Sequence, residues 1–161
     1  MLDRQTGKFR WYVHSASANS ISHNNVKAIW YDEGTDQIWL GLHLGGLNRL
    51  DIRSGRFFAY RHEAGNPATI PSDIVRDILP YGDSLVVATQ QGVCLLSKAT
   101  GKCRQLFGES PEGDKIRMVA DLELDRTGVL WMAVTGEGAF SYCSIFSEVC
   151  LPTNLYAIDG T

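Results

Sequence analysis

The chain has 161 residues, of which 44% are hydrophobic and 20% charged, the balance of a folded domain with its own core and not of a disordered chain. The net charge is −3, with fifteen scattered Lys and Arg, which excludes the basic stripe that nucleic-acid phosphates require. No apolar run approaches the roughly 18–20 residues that span a bilayer, so no membrane contact is expected of this segment.

The amino terminus, "MLDRQTGKFR", has no apolar signal-peptide core, and any export signal is expected upstream. Residues 1–15 read as the outer strands of a sheet unit that begins before them. A complete unit follows at 24–63. In it, "NVKAIWYD", "QIWLGLH", "GLNRLD" and "RFFAYRH" form four strands, with "EGTD" as the first turn. Glycine supplies positive φ at such breaks, while Asp, Ser and Asn bond back to their own backbone. A second unit at 73–108 contracts its first turn to "YGDS" and carries "LVVATQQGVCLLS". A third at 116–152 carries "VLWMAVTGEGAFSY", and 153–161 starts another.

These units repeat one another. Gly46, Gly92 and Gly138 recur every 46 residues, each between two strand-like runs. Gly7, Gly55 and Gly101 follow at 48 and then 46 residues, and Trp39 and Trp131 hold one place, with Val86 between them. A period in the forties built from strands indicates propeller blades, and no window shows the three-and-four recurrence of a helix. Val26, Ala28 and Trp30 are apolar on one face of the first strand, Ile29 and Tyr31 on the other, so both faces are expected to be covered by neighbouring blades. The fold class is all-β: a partial β-propeller of about three four-stranded antiparallel blades with pieces of flanking blades. Four strands about 4.8 Å apart and five residues long present a face of roughly 300 Å². Leaving one bare forfeits on the order of 7 kcal/mol, so the segment is expected to belong to a larger closed propeller.

Smaller features read structurally. Cys94, Cys103, Cys143 and Cys150 lack the close spacing of zinc ligands. The turn inside each pair is expected to set its members diagonally, and they read as free, packed thiols. Asp32, Asp51 and Asp125 read as turn residues that accept backbone amides. Trp11 and Trp30 read as packing between blades and not as sugar-stacking platforms.

The run from Asn19 to Ile78 closely resembles the two-component regulator propeller repeat. It carries Asn19-Ser20-Ile21, Val26, Asp32, Ile38-Trp39-Leu40-Gly41, Gly45-Gly46-Leu47-Asn48-Arg49, Gly55-x-Phe57 and Tyr60-x-His62. The likeness weakens along the chain: the second unit lacks the Trp, and the third has Ala133 and Val134 for the glycine and threonine. The resemblance implies a periplasmic sensor region of a bacterial hybrid two-component histidine kinase, homodimeric in the full-length protein and responding to oligosaccharides. The kinase domain lies outside this chain.

In a four-stranded blade, the bends between second and third strands emerge on the same face as the loops joining blades. All four histidines fall there: His14, His23, His43 and His62. As ligand contacts we single out His23, Asn25, His43, Gln90 and Glu137 on this face. Arg76 and Arg117, near the starts of first strands, join them as partners for carboxylate or sulfate. No metal or other cofactor is expected. Enzyme signatures such as a Gly-x-Ser-x-Gly elbow or His-Glu-x-x-His are absent, so the segment reads as a binding module. The competing readings are a propeller polysaccharide lyase or glycoside hydrolase, and a structural propeller for protein contact.

Overall fold

The computed structural model describes residues 7–107 and 118–142. Among them are eleven strands and no helix. The first sheet comprises β1 (Val26–Asp32), β2 (Gln37–Leu42), β3 (Gly46–Asp51) and β4 (Arg56–Tyr60). The second has β5 (Val75–Tyr81), β6 (Ser84–Thr89), β7 (Gly92–Ser97) and β8 (Cys103–Phe107). The third has β9 (Val119–Leu124), β10 (Leu130–Val134) and β11 (Gly138–Tyr142). Each sheet is an antiparallel meander in sequence order. Strand β1 lies against β5, and β5 against β9, so the first strands form the inner edge of a fan of blades. The expected fold is present. The segment expected as the fourth strand of the third blade, the start of a further blade, Cys143 and Cys150 lie outside the described residues. Residues 7–15 hold an isolated bridge at Phe9 and no strand.

Side-chain alternation explains the stacking. Val87, Cys94 and Leu96 of blade two pack with Trp39 and Leu47 of blade one. Val86, Ala88 and Val93, on the other face of the same sheet, pack with Leu122, Leu130 and Met132 of blade three. Blade two is therefore covered on both faces. Among the described residues blade one is not: Ile29 is 68% and Tyr31 50% exposed, while Ile38, Leu40, Leu42 and Phe57 find cover on that side around Ile21. Val26 also departs from its expected face. It pairs with Leu42 while Ala28 pairs with Gly41, so an extra residue, Lys27, sits between them as a β-bulge and moves Val26 to the opposite side.

Trp11 differs from its reading as inter-blade packing. It is 82% exposed, its ring tilted against Phe9 at 6.4 Å, since no sheet among the described residues covers that side. Trp30 does pack against blade two. The aspartates at turns behave as expected. Asp51 accepts the Ser54 amide at 2.7 Å, and Asp125 accepts those of Thr127 and Val129 at 2.8 and 3.0 Å.

Gly46, Gly92 and Gly138 all take positive φ, at 67°, 112° and 98°. This left-handed backbone is what the entry to each third strand requires, and glycine adopts it without penalty. At Gly46 a Cβ would also collide with the carbonyl oxygen of Tyr60. Gly46→Ala is accordingly expected to cost about 1–3 kcal/mol, readable as a lowered urea midpoint at unchanged slope.

Candidate functional site

One hydrogen bond recurs in every blade and defines the face on which its bends lie. His43 N donates to Asn25 O at 2.9 Å, Gln90 N to Ile74 O at 3.0 Å, and Thr135 N to Met118 O at 2.9 Å. Each joins the bend after a second strand to the residue just before the first strand. His43, Gln90 and Thr135 are therefore structural equivalents, set around the inner edge at the same height. Asn25, Ile74 and Met118 form a second such set. Gly46 N also donates to Asp73 O at 2.9 Å, tying the first bend to the loop that enters blade two.

A third equivalent set lies on the inner strands themselves. The pairing of β1 with β2 shifts between Val26 and Ala28, and that of β5 with β6 between Val75 and Asp77. In blade three, Ala133 pairs with Asp121 but Val134 with Val119. Each inner strand thus carries one bulged residue near its start: Lys27, Arg76 and Ala120. Bulges re-aim side chains and concentrate near functional sites. Two of the three are cations. Lys27 is exposed and Arg76 half-buried. Arg76 Nη2 lies 3.4 Å from Met118 Sδ, and its buried Nε has no hydrogen-bond partner among the described residues.

The histidines divide into two kinds. His14 and His62 make matching bonds. Their Nδ1 atoms stand 2.8 and 2.9 Å from the carbonyls of Ile21 and Ile70, to which the rings donate. Their amides donate to Asn24 Oδ1 at 2.6 Å and to Asp73 Oδ1 at 2.8 Å. These two rings fasten inter-blade loops and are structural. His23 Nδ1 accepts the Asn25 amide at 3.1 Å. His43 differs: its buried Nδ1 finds no partner among the described residues.

The residues singled out from the sequence are thus partly brought together. His43 and Gln90 share an equivalent position. Asn25 lies one hydrogen bond from His43, and Arg76 sits two residues after Ile74, which accepts from Gln90. Asn25, Gln90 and Glu137 are exposed, His23 half-buried. Glu137 lies on the third bend, its amide donating to Val134 O at 3.1 Å. Arg117 lies outside the described residues. Sequence reasoning missed Lys27; the signal was its equivalence to Arg76, visible only once the bulge is placed.

A carboxyl pair also stands on the inner strands. Asp77 Oδ2 accepts the Leu122 amide at 2.9 Å across the gap between blades. Burial raises the Asp77 pKa; the amides of Ile78 and Leu122 oppose this, and the charge and hydrogen bond of Asp121 reinforce it. Among the described residues no three His, Cys, Asp or Glu side chains stand together for a metal, and no helix is long and apolar enough to cross a membrane.

No family model matches the sequence, and no curated protein does. Solved structures do match the fold. One is the extracellular domain described as that of a hybrid two-component system, BT3049 of B. thetaiotaomicron, with a TM-score of 0.72 over 84% of this chain at 22% identity. Another is the extracellular domain described as that of a one-component system, BT4673 of the same organism, with a TM-score of 0.59 over 74% of this chain, also at 22% identity. This chain spans 19% and 15% of those two chains. At such identities the likeness is one of fold: the chain builds its blades as these extracellular domains do.

Proposed function

We propose that the chain is a ligand-sensing segment of an extracytoplasmic propeller in a hybrid two-component sensor histidine kinase, and that its ligand is an oligosaccharide. The observation that carries this reading is the likeness of fold to an extracellular domain of a signalling system. The bend face supports it with a recurring ring of polar groups, His43, Gln90 and Thr135, above the cations Lys27 and Arg76. Hydroxyl-rich ligands suit such a set of donors and acceptors, and a carboxylate or sulfate on the sugar would pair with the guanidinium of Arg76. Ligand bridging two adjacent blades would favour one packing of the paired sensor regions of a periplasmic homodimer over another, a shift of population passed on to the kinase. The segment itself then binds and does not catalyse.

Titration calorimetry of the sensor region containing this chain, against neutral, uronic and sulfated oligosaccharides, tests the reading. One class should bind. If it is anionic, Arg76→Ala should weaken it about tenfold or more, the value of a lost charge-assisted hydrogen bond. Silence across every class would count against a sugar sensor, and turnover of any glycan would favour the lyase or hydrolase reading.

A further inference from the structure

Blade two carries a pair of side chains that the bend face does not use. Cys94 lies on β7 and Cys103 on the neighbouring β8. Cys94 pairs with Gln105, and Leu96 with Cys103, so the two cysteines are diagonal neighbours. Diagonal positions stand about 7–8 Å apart, which ordinarily keeps short side chains separate. Here a register shift lies beside Cys94, and the sulfurs stand only 3.1 Å apart. Closing that gap to a bond of about 2.05 Å needs roughly 1 Å of movement. Both thiols are free and buried, and they sit with Trp39, Leu47 and Leu96 in the packing between blades one and two.

The two positions also differ together from their counterparts. Counting back 46 residues, Cys94 corresponds to Asn48 and Cys103 to Phe57. In blade one these have separate tasks. Asn48 accepts the Ser22 amide and donates to Gly45 O, whereas Phe57 meets Tyr12 edge-on. Blade two has given up both tasks and placed sulfur at both sites, in contact.

We propose that Cys94 and Cys103 are an oxidisable dithiol that closes to an intramolecular disulfide, stapling β8 to β7. The oxidant is a small disulfide of the glutathione class. Cys103, at 9% exposure against none for Cys94, reacts first. Its thiol gives a proton to solvent, its sulfur attacks the oxidant's disulfide, and one small thiol leaves. Cys94 then loses its proton and attacks Cys103 Sγ. The mixed S–S bond breaks, the Cys94–Cys103 bond forms, and a second small thiol leaves. The protein gives up two electrons and two protons, and the oxidant's disulfide becomes two thiols. In the reduced pair the hydrogen bond to Cys103, with burial, holds the Cys94 thiol well above its usual pKa, which disfavours Cys94 as the thiol that starts the exchange. This inference does not rest on the sensor reading.

The test uses the full chain, reduced and then held folded with oxidised glutathione. After denaturation, alkylation and trypsin digestion, Lys98 and Lys102 separate the two cysteines unless a disulfide joins them. The expected product is the Cys94 peptide linked to the Cys103 peptide. The midpoint of thermal unfolding should rise by about 5–10 °C, and dithiothreitol should reverse it. Cys103→Ala should abolish that oxidant-dependent rise; should it fail to fold, the peptide map of the unaltered chain still decides. Alkylation of both cysteines after prolonged oxidation would overturn the proposal. So would a glutathione adduct persisting on Cys103, or linkage of either residue to Cys143 or Cys150.

Discussion

Truncation of Trp39 to alanine is expected to cost about 3–5 kcal/mol, enough to unfold a domain of ordinary stability. The indole is fully buried, facing blade two, stacked on Tyr60 with ring centroids 5.5 Å apart. The guanidinium of Arg49 lies 5.7 Å from its ring and 4.3 Å from that of Phe58. Val75, Leu85 and Val87 of the next blade close the other side. Removing the ring would leave a void between two sheets that cannot collapse without shifting a whole blade. Trp131 holds the equivalent place in blade three but is 40% exposed, and its Nε1 donates to Asp125 Oδ2 at 3.0 Å. Trp131→Ala should therefore cost well under half as much. Urea unfolding of the two variants, followed by far-ultraviolet circular dichroism, reads the difference directly. Equal costs would mean that packing against the neighbouring blade is not what the tryptophan contributes.

A second large effect is expected where blades one and two share charge. Lys98 Nζ, from the turn after β7, stands 3.1 Å from Asp32 Oδ2 at the end of β1, and 5.2 Å from the centre of the Trp30 ring. Their side chains are only 20% and 10% exposed. Burial opposes ionisation of Asp32, yet the hydrogen bonds from Lys98 and Thr35, the charge of Lys98 and the Gly34 amide outweigh it. The net effect holds the carboxyl below its usual 3.8. A carboxyl depressed in this way lends stability in full above its unfolded pKa and loses it as pH falls through the folded value. Asp32→Ala should cost about 2 kcal/mol at pH 7, since it leaves the Lys98 ammonium largely buried without its partner. Asp32→Asn should flatten the loss of stability below about pH 4. Urea midpoints at pH 7 and pH 3, compared with those of the parent chain, check both. An unchanged acid limb in the asparagine variant would remove Asp32 from the account.

Much of this architecture is legible in the sequence because it is periodic. The 46-residue recurrence of Gly46, Gly92 and Gly138 marks three third strands, and their positive φ explains why glycine stays while neighbours change. The equivalence of His43 and Gln90, 47 residues apart, appears only in their matching hydrogen bonds to Asn25 and Ile74. Local pattern does not show the bulges. An extra residue such as Lys27 or Arg76 leaves the run looking like an ordinary strand while changing which face Val26 covers. For the same reason Lys27 escaped notice as a neighbour of the candidate site. Contacts between blades are hidden for a different reason. Asp32 and Lys98 are 66 residues apart, and Asp32 by itself reads as a turn residue. The histidines show the limit most plainly. His14 and His62 look as available as His23 and His43, until their rings prove to be committed to the carbonyls of Ile21 and Ile70.

The sheets cover one another, with blade two enclosed and, among the described residues, the outward faces of blades one and three left open. Native-state amide hydrogen exchange measures this strand by strand, because protection follows the free energy needed to expose each ladder. The slowest amides should lie in β6 and β7, exchanging only with global unfolding, and those of β10 and β11 should exchange faster by a smaller, local opening. Protection in β10 and β11 equal to or greater than that in β6 and β7 would contradict the stacked-blade arrangement.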